Sequence, residues 1–296
     1  MVRISACINN YNYGRYLGEA IDSVFAQTYP PLEVIVVDDG STDGSADFVA
    51  ETYGDRVRLI RSENLGQLSA VRLGVRAATG DFIAFLDADD RWEAHHLAEV
   101  AMRLSADRLA DFVIASKRVF GMDAPSKAIS RHVERVFGCT TLVGLTGEDV
   151  GAETSCLVTR RDCVDFLDRI PPEMLAEWRL YADEVIVFGC SIRGARKVWI
   201  GVQSVAYRAH GENGHFGRVS TSDEERSRRE RHQKLIDWLH RSYFPGMNAA
   251  AIVRREMKRN TLIKQRNKRR LYRAVWRCRA SLGEKVAATF AILAKR

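Results

Sequence analysis

Short apolar runs recur along the first half of the chain, at Ile4–Ile8, Val34–Val37, Val57–Ile60, Phe82–Leu86 and Phe112–Ala115. Stretches of helical length separate them. Tyr16–Gln27 places Leu17, Ala20, Ile21, Val24 and Phe25 on one face, and Ser45–Tyr53 and Leu68–Ala78 repeat the pattern. Glu93–Ser105 opens with an acid and carries Leu97, Val100, Ala101 and Leu104 at helical spacing. Apolar residues three and four apart mark an amphipathic helix, and short apolar runs bounded by turn residues mark buried strands. Strands alternating with helices predict an α/β fold, a mostly parallel sheet flanked by helices on both faces. Ligands of such sheets bind beyond the carboxyl ends of the strands. Those ends are polar here: Asn9-Asn10-Tyr11-Asn12, Asp38-Asp39-Gly40-Ser41 and Asp87-Ala88-Asp89-Asp90.

The pattern weakens at residues 117–150, which include Gly121, Pro125, Gly138, Gly144 and Gly147. Residues 151–220 form a second part of the body, with apolar runs at Val185–Gly189 and Lys197–Val202. Ser222 followed by Glu225 resembles a capping box and predicts a helix start. From Asn248 to Gly283 the chain has few helix breakers and reads as helical and basic. The expected division is a body of residues 1–220, in halves 1–97 and 98–220, and a helical extension over 221–296.

Charge sharpens that division. The total is +7, but residues 254–296 hold fifteen Lys and Arg against two acids, a net of +13, which leaves −6 on residues 1–253. At 46% hydrophobic residues the chain is not mostly disordered. No apolar run approaches the ~18 residues of a membrane span. The opening segment, Met1 to Asn12, has too short an apolar run for the core of a signal peptide. The six cysteines are scattered without a CxxC pair, which predicts small core side chains in a reducing compartment.

Two phosphate cradles are absent. No GxGxxG follows the first run and no GxxxxGK[ST] occurs, which argues against a dinucleotide dehydrogenase and a P-loop NTPase. Carboxylates cannot hold phosphate directly. They hold it through a divalent cation, and oxygen ligands suit Mg²⁺ or Mn²⁺. Asp87 and Asp89, at the end of a strand, fit one carboxylate for the metal and one for a ribose hydroxyl. Asp38 and Asp39 end another strand, where one of them is placed to accept a hydrogen bond from a base N–H. Ser41, Thr42 and Asp43 read as a turn and helix cap. Trp92 reads either as a pocket wall or as packing, and His95 and His96 as surface helix positions.

Taken in order, Ile4–Asn12, Ala20–Pro30, Val36–Asp43, Asn64-Leu65-Gly66-Gln67, Ala78-Thr79-Gly80-Asp81 and Phe85–Asp90 resemble the family 2 glycosyltransferases of the GT-A fold. The likeness is dense over residues 2–97, faint from 98 to 150, and scattered to about residue 217. It implies Asn9 and Tyr11 beside the nucleotide base, Asp39 on the base with Asp38 as second candidate, and Asp87 on the ribose. It implies Asp89 as ligand of a metal bridging the diphosphate. Asn64 opens the loop before the third helix. Arg72 stands one position away from the Arg of the family's Ala-Arg-Asn triplet. Tyr207-Arg208-Ala209-His210-Gly211-Glu212-Asn213 resembles a late family motif whose His, here His210, completes the metal's coordination or touches the diphosphate. His215 is a weaker candidate. The family's base is the Asp of a Glu-Asp pair eleven residues before a Gly. Asp183 stands eleven before Gly194, with Ala182 in place of the Glu and Glu184 as an adjacent alternative.

The resemblance therefore implies a metal-dependent, inverting transfer from a nucleoside diphosphate sugar, a UDP-sugar by expectation. The acceptor is a hydroxyl on a surface glycan or lipid-linked precursor. Ala182 motivates one alternative, a non-catalytic scaffold that binds nucleotide or glycan. A nucleotidyltransferase is a third reading, but Asn9–Gly14 lacks the Gly-rich basic loop it would need. In the extension, Lys264–Arg279 interleaves eight Lys and Arg with Leu271, Tyr272, Val275 and Trp276. That suits an anionic membrane surface, where each Lys or Arg is worth ~1 kcal/mol. A helix packed on the body and, less favoured, nucleic-acid binding compete with it. The expected location is cytoplasmic, peripheral on the inner face of the membrane.

Overall fold

The computed structural model describes residues 1–121, 135–137, 151–211, 221–259, 265–277 and 280–294. The expectations resting on His215, Cys139 and Cys278 lie outside them. β1 (Ile4–Asn10), β2 (Glu33–Asp38), β3 (Arg58–Arg61) and β4 (Phe82–Asp87) pair in parallel in the order β3-β2-β1-β4. α1 (Gly14–Phe25), α2 (Ser45–Tyr53) and α3 (Gln67–Ala77) connect them. Both faces of this half-sheet are covered, which is why its strands read as continuous apolar runs. Ala6, Ile8, Val36, Ala84 and Leu86 share one core with Leu17, Ile21 and Val24 of α1. Cys7, Ile35, Val37 and Phe85 share the other with Leu68, Val71 and Val75 of α3.

Past β4 the sheet becomes mixed. It continues through β8 (Leu157–Arg160), β6 (Phe112–Gly121), β9 (Lys197–Ala209) and β5 (Arg91–Trp92), with β7 (Arg135–Phe137) also on β9. β8 runs antiparallel to both neighbours, while β6 and β9 are parallel. The α/β class with a helix-flanked sheet holds, with the first half wholly parallel and the second half mixed. The apolar run Val185–Gly189 lies inside α6 (Ala182–Ile192), which follows α4 (His96–Ala106) and α5 (Pro172–Glu177). α6 is buried nearly all round, so it carries no helical stripe.

His96 corrects the expectation of a surface position. Pairing of β5 with β9 draws the start of α4 inward. His96 is fully buried, its Nδ1 lies 2.8 Å from Ser204 Oγ, and its ring stacks on Trp92 at 4.6 Å. Burial pushes its pKa down to about 3, so the ring is neutral. Trp92 packs rather than lining a pocket, with Nε1 donating to the Ser155 carbonyl at 3.0 Å. Cys7, Cys156 and Cys190 are buried and Cys163 half-buried, as small apolar side chains. Burial pushes the Cys190 thiol up to about 11.

α7 (Ser222–Tyr243) starts at a capping box one residue earlier than expected. Thr221 Oγ1 accepts from Glu224 N at 3.2 Å, and Glu224 Oε2 accepts from Thr221 N at 2.8 Å. Thr221 is still extended (φ −75°, ψ 160°), so it and not Ser222 is the last residue outside the helix. Leu235, Ile236 and Leu239 of α7 join the main core. α8 (Ala249–Arg259), α9 (Gln265–Arg277) and α10 (Leu282–Leu293) share a smaller one of Ala250, Val253, Met257, Leu271, Val275, Ala288 and Ile292. Among the described residues no helix is long and apolar enough to cross a membrane.

Candidate active site

Parallel pairing of β1 with β4 sets Asn9 beside Asp87. Asn9 Nδ2 donates to Asp87 Oδ1 at 2.9 Å, and Gln67 Nε2, at the start of α3, donates to the same oxygen at 2.9 Å. Gln67 Nε2 also lies 3.3 Å from Thr154 Oγ1. Its Oε1 faces the Ala182 N–H at 3.4 Å. One amide thus ties the end of β4 to the first residue of α6. Asn9 Oδ1 is buried and has no hydrogen-bond partner among the described residues.

The chain turns sharply after Asp87. Asp90 is buried, accepting from Ser155 Oγ at 2.6 Å and from Arg208 N at 2.8 Å, so it anchors the turn to β9. Asp89 Oδ2 lies 2.9 Å from His210 Nε2, just past the end of β9. The His210 ring sits against Tyr13 and Tyr16, at 5.6 and 5.3 Å between centroids. Arg208 Nε donates to the Asp89 carbonyl at 2.7 Å while its guanidinium pairs with Glu19. Burial, then the charge of Asp89, pushes Asp87 up to about 7. Burial, then Asp89 and Asp87, holds Asp90 well above the carboxylate range. Three carboxyl groups are crowded at one point, where full ionisation is opposed.

That crowding, and the Asp89 carboxylate facing the His210 imidazole, fit a divalent cation. Mg²⁺ uses one or two protein carboxylates plus substrate phosphates. Among the described residues no group of three His, Cys, Asp or Glu side chains is arranged to hold a metal unaided. A cation here would take the rest of its ligands from a diphosphate and water.

Asp38 and Asp39 are both buried and engaged within the protein. Asp38 accepts from Asn10 Nδ2 (2.7 Å), Ser41 N (2.9 Å) and Ser45 Oγ (3.3 Å). Asp39 accepts from Ser62 Oγ (2.7 Å), Leu65 N (2.8 Å) and Gly66 N (2.6 Å), and so shapes the loop before α3. Two motif glycines follow from this packing. At Gly40 (φ +78°) a Cβ would lie 2.7 Å from Asn64 N, and at Gly66 (φ +94°) 2.0 Å from Arg179 Cγ. Asn64, itself at φ 38°, accepts a hydrogen bond from Arg179. Tyr11 is exposed just past β1. Arg72 points elsewhere, its Nε 3.6 Å from Asp168, which also pairs with Arg76.

Asp183 lies in the first turn of α6, half-buried, with Oδ1 accepting from Glu184 N at 2.8 Å. Glu184 turns to α7, meeting His232 Nε2 at 2.7 Å and Arg228 Nη2 at 2.5 Å. Adjacent helix residues diverge, and here they serve different neighbours. Burial raises the Glu184 carboxyl, but the His232 hydrogen bond and charge, with Arg228, outweigh it and hold the group below its usual value. A carboxyl lowered on folding stabilises the fold above its unfolded pKa, and that contribution is lost as pH falls through the folded value. Glu184→Gln is expected to lose about 1–3 kcal/mol at neutral pH. Denaturant melts should show the deficit shrinking below about pH 5.

Gln67 was legible only as part of a motif, and Arg208 as a neighbour of His210. Ser155 and Thr154 gave no signal, because they reach the site from a short 3-10 turn, Thr154–Cys156, just before β8. Gln67→Leu removes a donor to Asp87 and the link to α6. Its kcat/KM in nucleoside diphosphate release should fall about tenfold, with a melting temperature lowered by only a few degrees.

Residues 5–166 match the sequence model of a family described as glycosyl transferase family 2. An uncharacterized glycosyltransferase of Nostoc sp. is 33% identical over 242 residues, which is 77% of this chain and 71% of that protein. Glycosyltransferase GlyG of Streptococcus pneumoniae serotype 4 is 34% identical over 117 residues, 38% of each chain. The crystal structure of S. aureus TarS 1-349 in complex with UDP-GlcNAc aligns at a TM-score of 0.59 and 16% identity. The alignment covers 98% of this chain and 79% of that one.

Proposed function

The chain belongs to glycosyl transferase family 2, and from that premise we propose a cation-dependent, inverting transfer of a sugar from a nucleoside diphosphate to an acceptor hydroxyl. The observation that carries this is the carboxylate turn of Asp87 and Asp89, tied through Gln67 to the helix start that holds Asp183. In this reading residues 1–220 are the GT-A body. Asn9, Tyr11 and Asp39 lie about the nucleotide base, with Asp38 and Asn64 shaping that wall, and Asp87 takes the ribose. Arg72, paired with Asp168, reaches the nucleotide only by leaving that partner.

Asp89 and His210 would hold Mn²⁺ or Mg²⁺, which when bound supplies positive charge to the departing diphosphate. Asp183 accepts the proton of the acceptor hydroxyl as its oxygen bonds to the anomeric carbon. The bond from that carbon to the phosphate oxygen breaks, and configuration inverts. TarS is described in complex with UDP-GlcNAc, and that donor class is carried over here. The acceptor is proposed to be a surface glycan or lipid-linked precursor. Retention at an anionic membrane face through residues 254–296, whose net charge is +13, suits such an acceptor.

The test is a panel of nucleotide sugars with Mn²⁺ or Mg²⁺, read as nucleoside diphosphate release. UDP-sugars should turn over. Binding of nucleotide sugar without turnover of any donor, acceptor present, would instead support the scaffold.

A further inference from the structure

α10 buries Ala288 and Ile292 against α8 and α9, yet leaves Leu282 (68%), Phe290 (68%), Leu293 (66%) and Val286 (38%) exposed. At about 100° per residue these four fall within roughly 80° of one another, on the side away from the buried pair. They form one continuous apolar stripe. α9 borders it: Trp276 Nε1 donates to Thr289 Oγ1 at 3.1 Å, which fixes the indole beside Phe290 along the chain. Trp276 (39%) and Tyr272 (47%) remain exposed, with rings 5.8 Å apart. Arg269 and Arg273 are exposed on the same helix, and Arg254, Arg255 and Lys258 on α8.

We infer that this stripe inserts into the headgroup layer of an anionic lipid surface, with Trp276 and Tyr272 at the interface and the α8–α9 arginines on the lipid phosphates. The inference deepens the proposed membrane location and rests on it, but not on the transfer chemistry. Charge selects the occupant. A second copy would bring another +13 segment against this one. Nucleic acid would use the arginines but leave the apolar stripe in water. An anionic bilayer uses both: apolar side chains enter the acyl boundary, amphipathic aromatics stop at the headgroups, and basic residues meet the phosphates.

The test uses the full chain in a flotation assay. Vesicles of phosphatidylcholine alone are compared with equal parts phosphatidylcholine and phosphatidylglycerol. Binding should require the anionic lipid. Phe290→Glu with Leu293→Glu should weaken it roughly tenfold or more, with circular dichroism and soluble-donor turnover unchanged. Anionic vesicles should blue-shift the tryptophan fluorescence of the native chain, and Trp276→Phe should lose most of that shift. If the stripe variant binds as tightly as the native chain while Arg269→Glu with Arg273→Glu does not, adsorption is electrostatic only and the insertion is overturned. If neither vesicle binds, the membrane location itself falls, leaving the catalytic reading to its own assay. Self-association that the stripe variant abolishes, without vesicle binding, would assign the face to a second copy.

Discussion

Asp89→Ala should cut nucleoside diphosphate release about a thousandfold, or ~4 kcal/mol of transition-state stabilisation. The argument begins with charge. A leaving diphosphate gains negative charge as the glycosidic bond breaks, and the site receives it beside Asp87, Asp89 and Asp90. Without a cation that approach is repulsive. Asp89 is placed to hold one, because Asp90 is consumed by Ser155 and Arg208 N and Asp87, held at Oδ1 by Asn9 and Gln67, is assigned to the ribose. Asp89 instead faces His210 at 2.9 Å, and that imidazole is a ligand type suited to the same ion. The variant should fold, since the turn is anchored by Asp90 and by main-chain bonds. A melting temperature within a few degrees of native, together with lost turnover, is the expected pair of results. Turnover that survives would remove Asp89 from the metal role.

The second large effect concerns Asp183. Asp183→Asn should lower kcat by about a hundred- to ten-thousandfold, the usual worth of a positioned base. KM for the donor should change little, because Asp183 lies on α6 and the donor is assigned to the loops after β1, β2 and β4. Asn retains an oxygen for the Glu184 N–H, so the helix start is preserved. The contrast with its neighbour is informative. Glu184→Gln should cost stability and leave chemistry in place, because Glu184 is committed to His232 and Arg228. The reverse result, a stable and inactive Glu184→Gln with an active Asp183→Asn, would move the base by one residue.

The nucleotide half was legible because its strands are buried on both faces and its loops carry chemistry in order. Asp38 and Asp39 stood out for that reason, but not that one pins the β1 and β2 ends and the other the loop before α3. Those bonds join residues more than twenty positions apart. α6 hid its helical period because nearly every side is buried, and β8 is only four residues long. His96 read as a surface residue because the short pairing of β5 with β9 has no local signature. Arg72 suggested a nucleotide contact by its place in a motif, whereas the 3-10 turn that supplies Asp168 comes almost a hundred residues later. Glu184 and Asp183 could be separated only once α7 supplied His232.

The central claim is that the turn after β4 binds a donor diphosphate through a cation held at Asp89. Calorimetric titration of UDP tests it most directly, with Mn²⁺ and with chelator, on the native chain and on Asp89→Ala. Native binding should weaken at least about tenfold when the cation is removed. Asp89→Ala should show that weakening already and lose nothing further on chelation, since two changes to one interaction do not add. Equal affinity in all four titrations, or a full loss on chelation that persists in Asp89→Ala, would contradict the assignment.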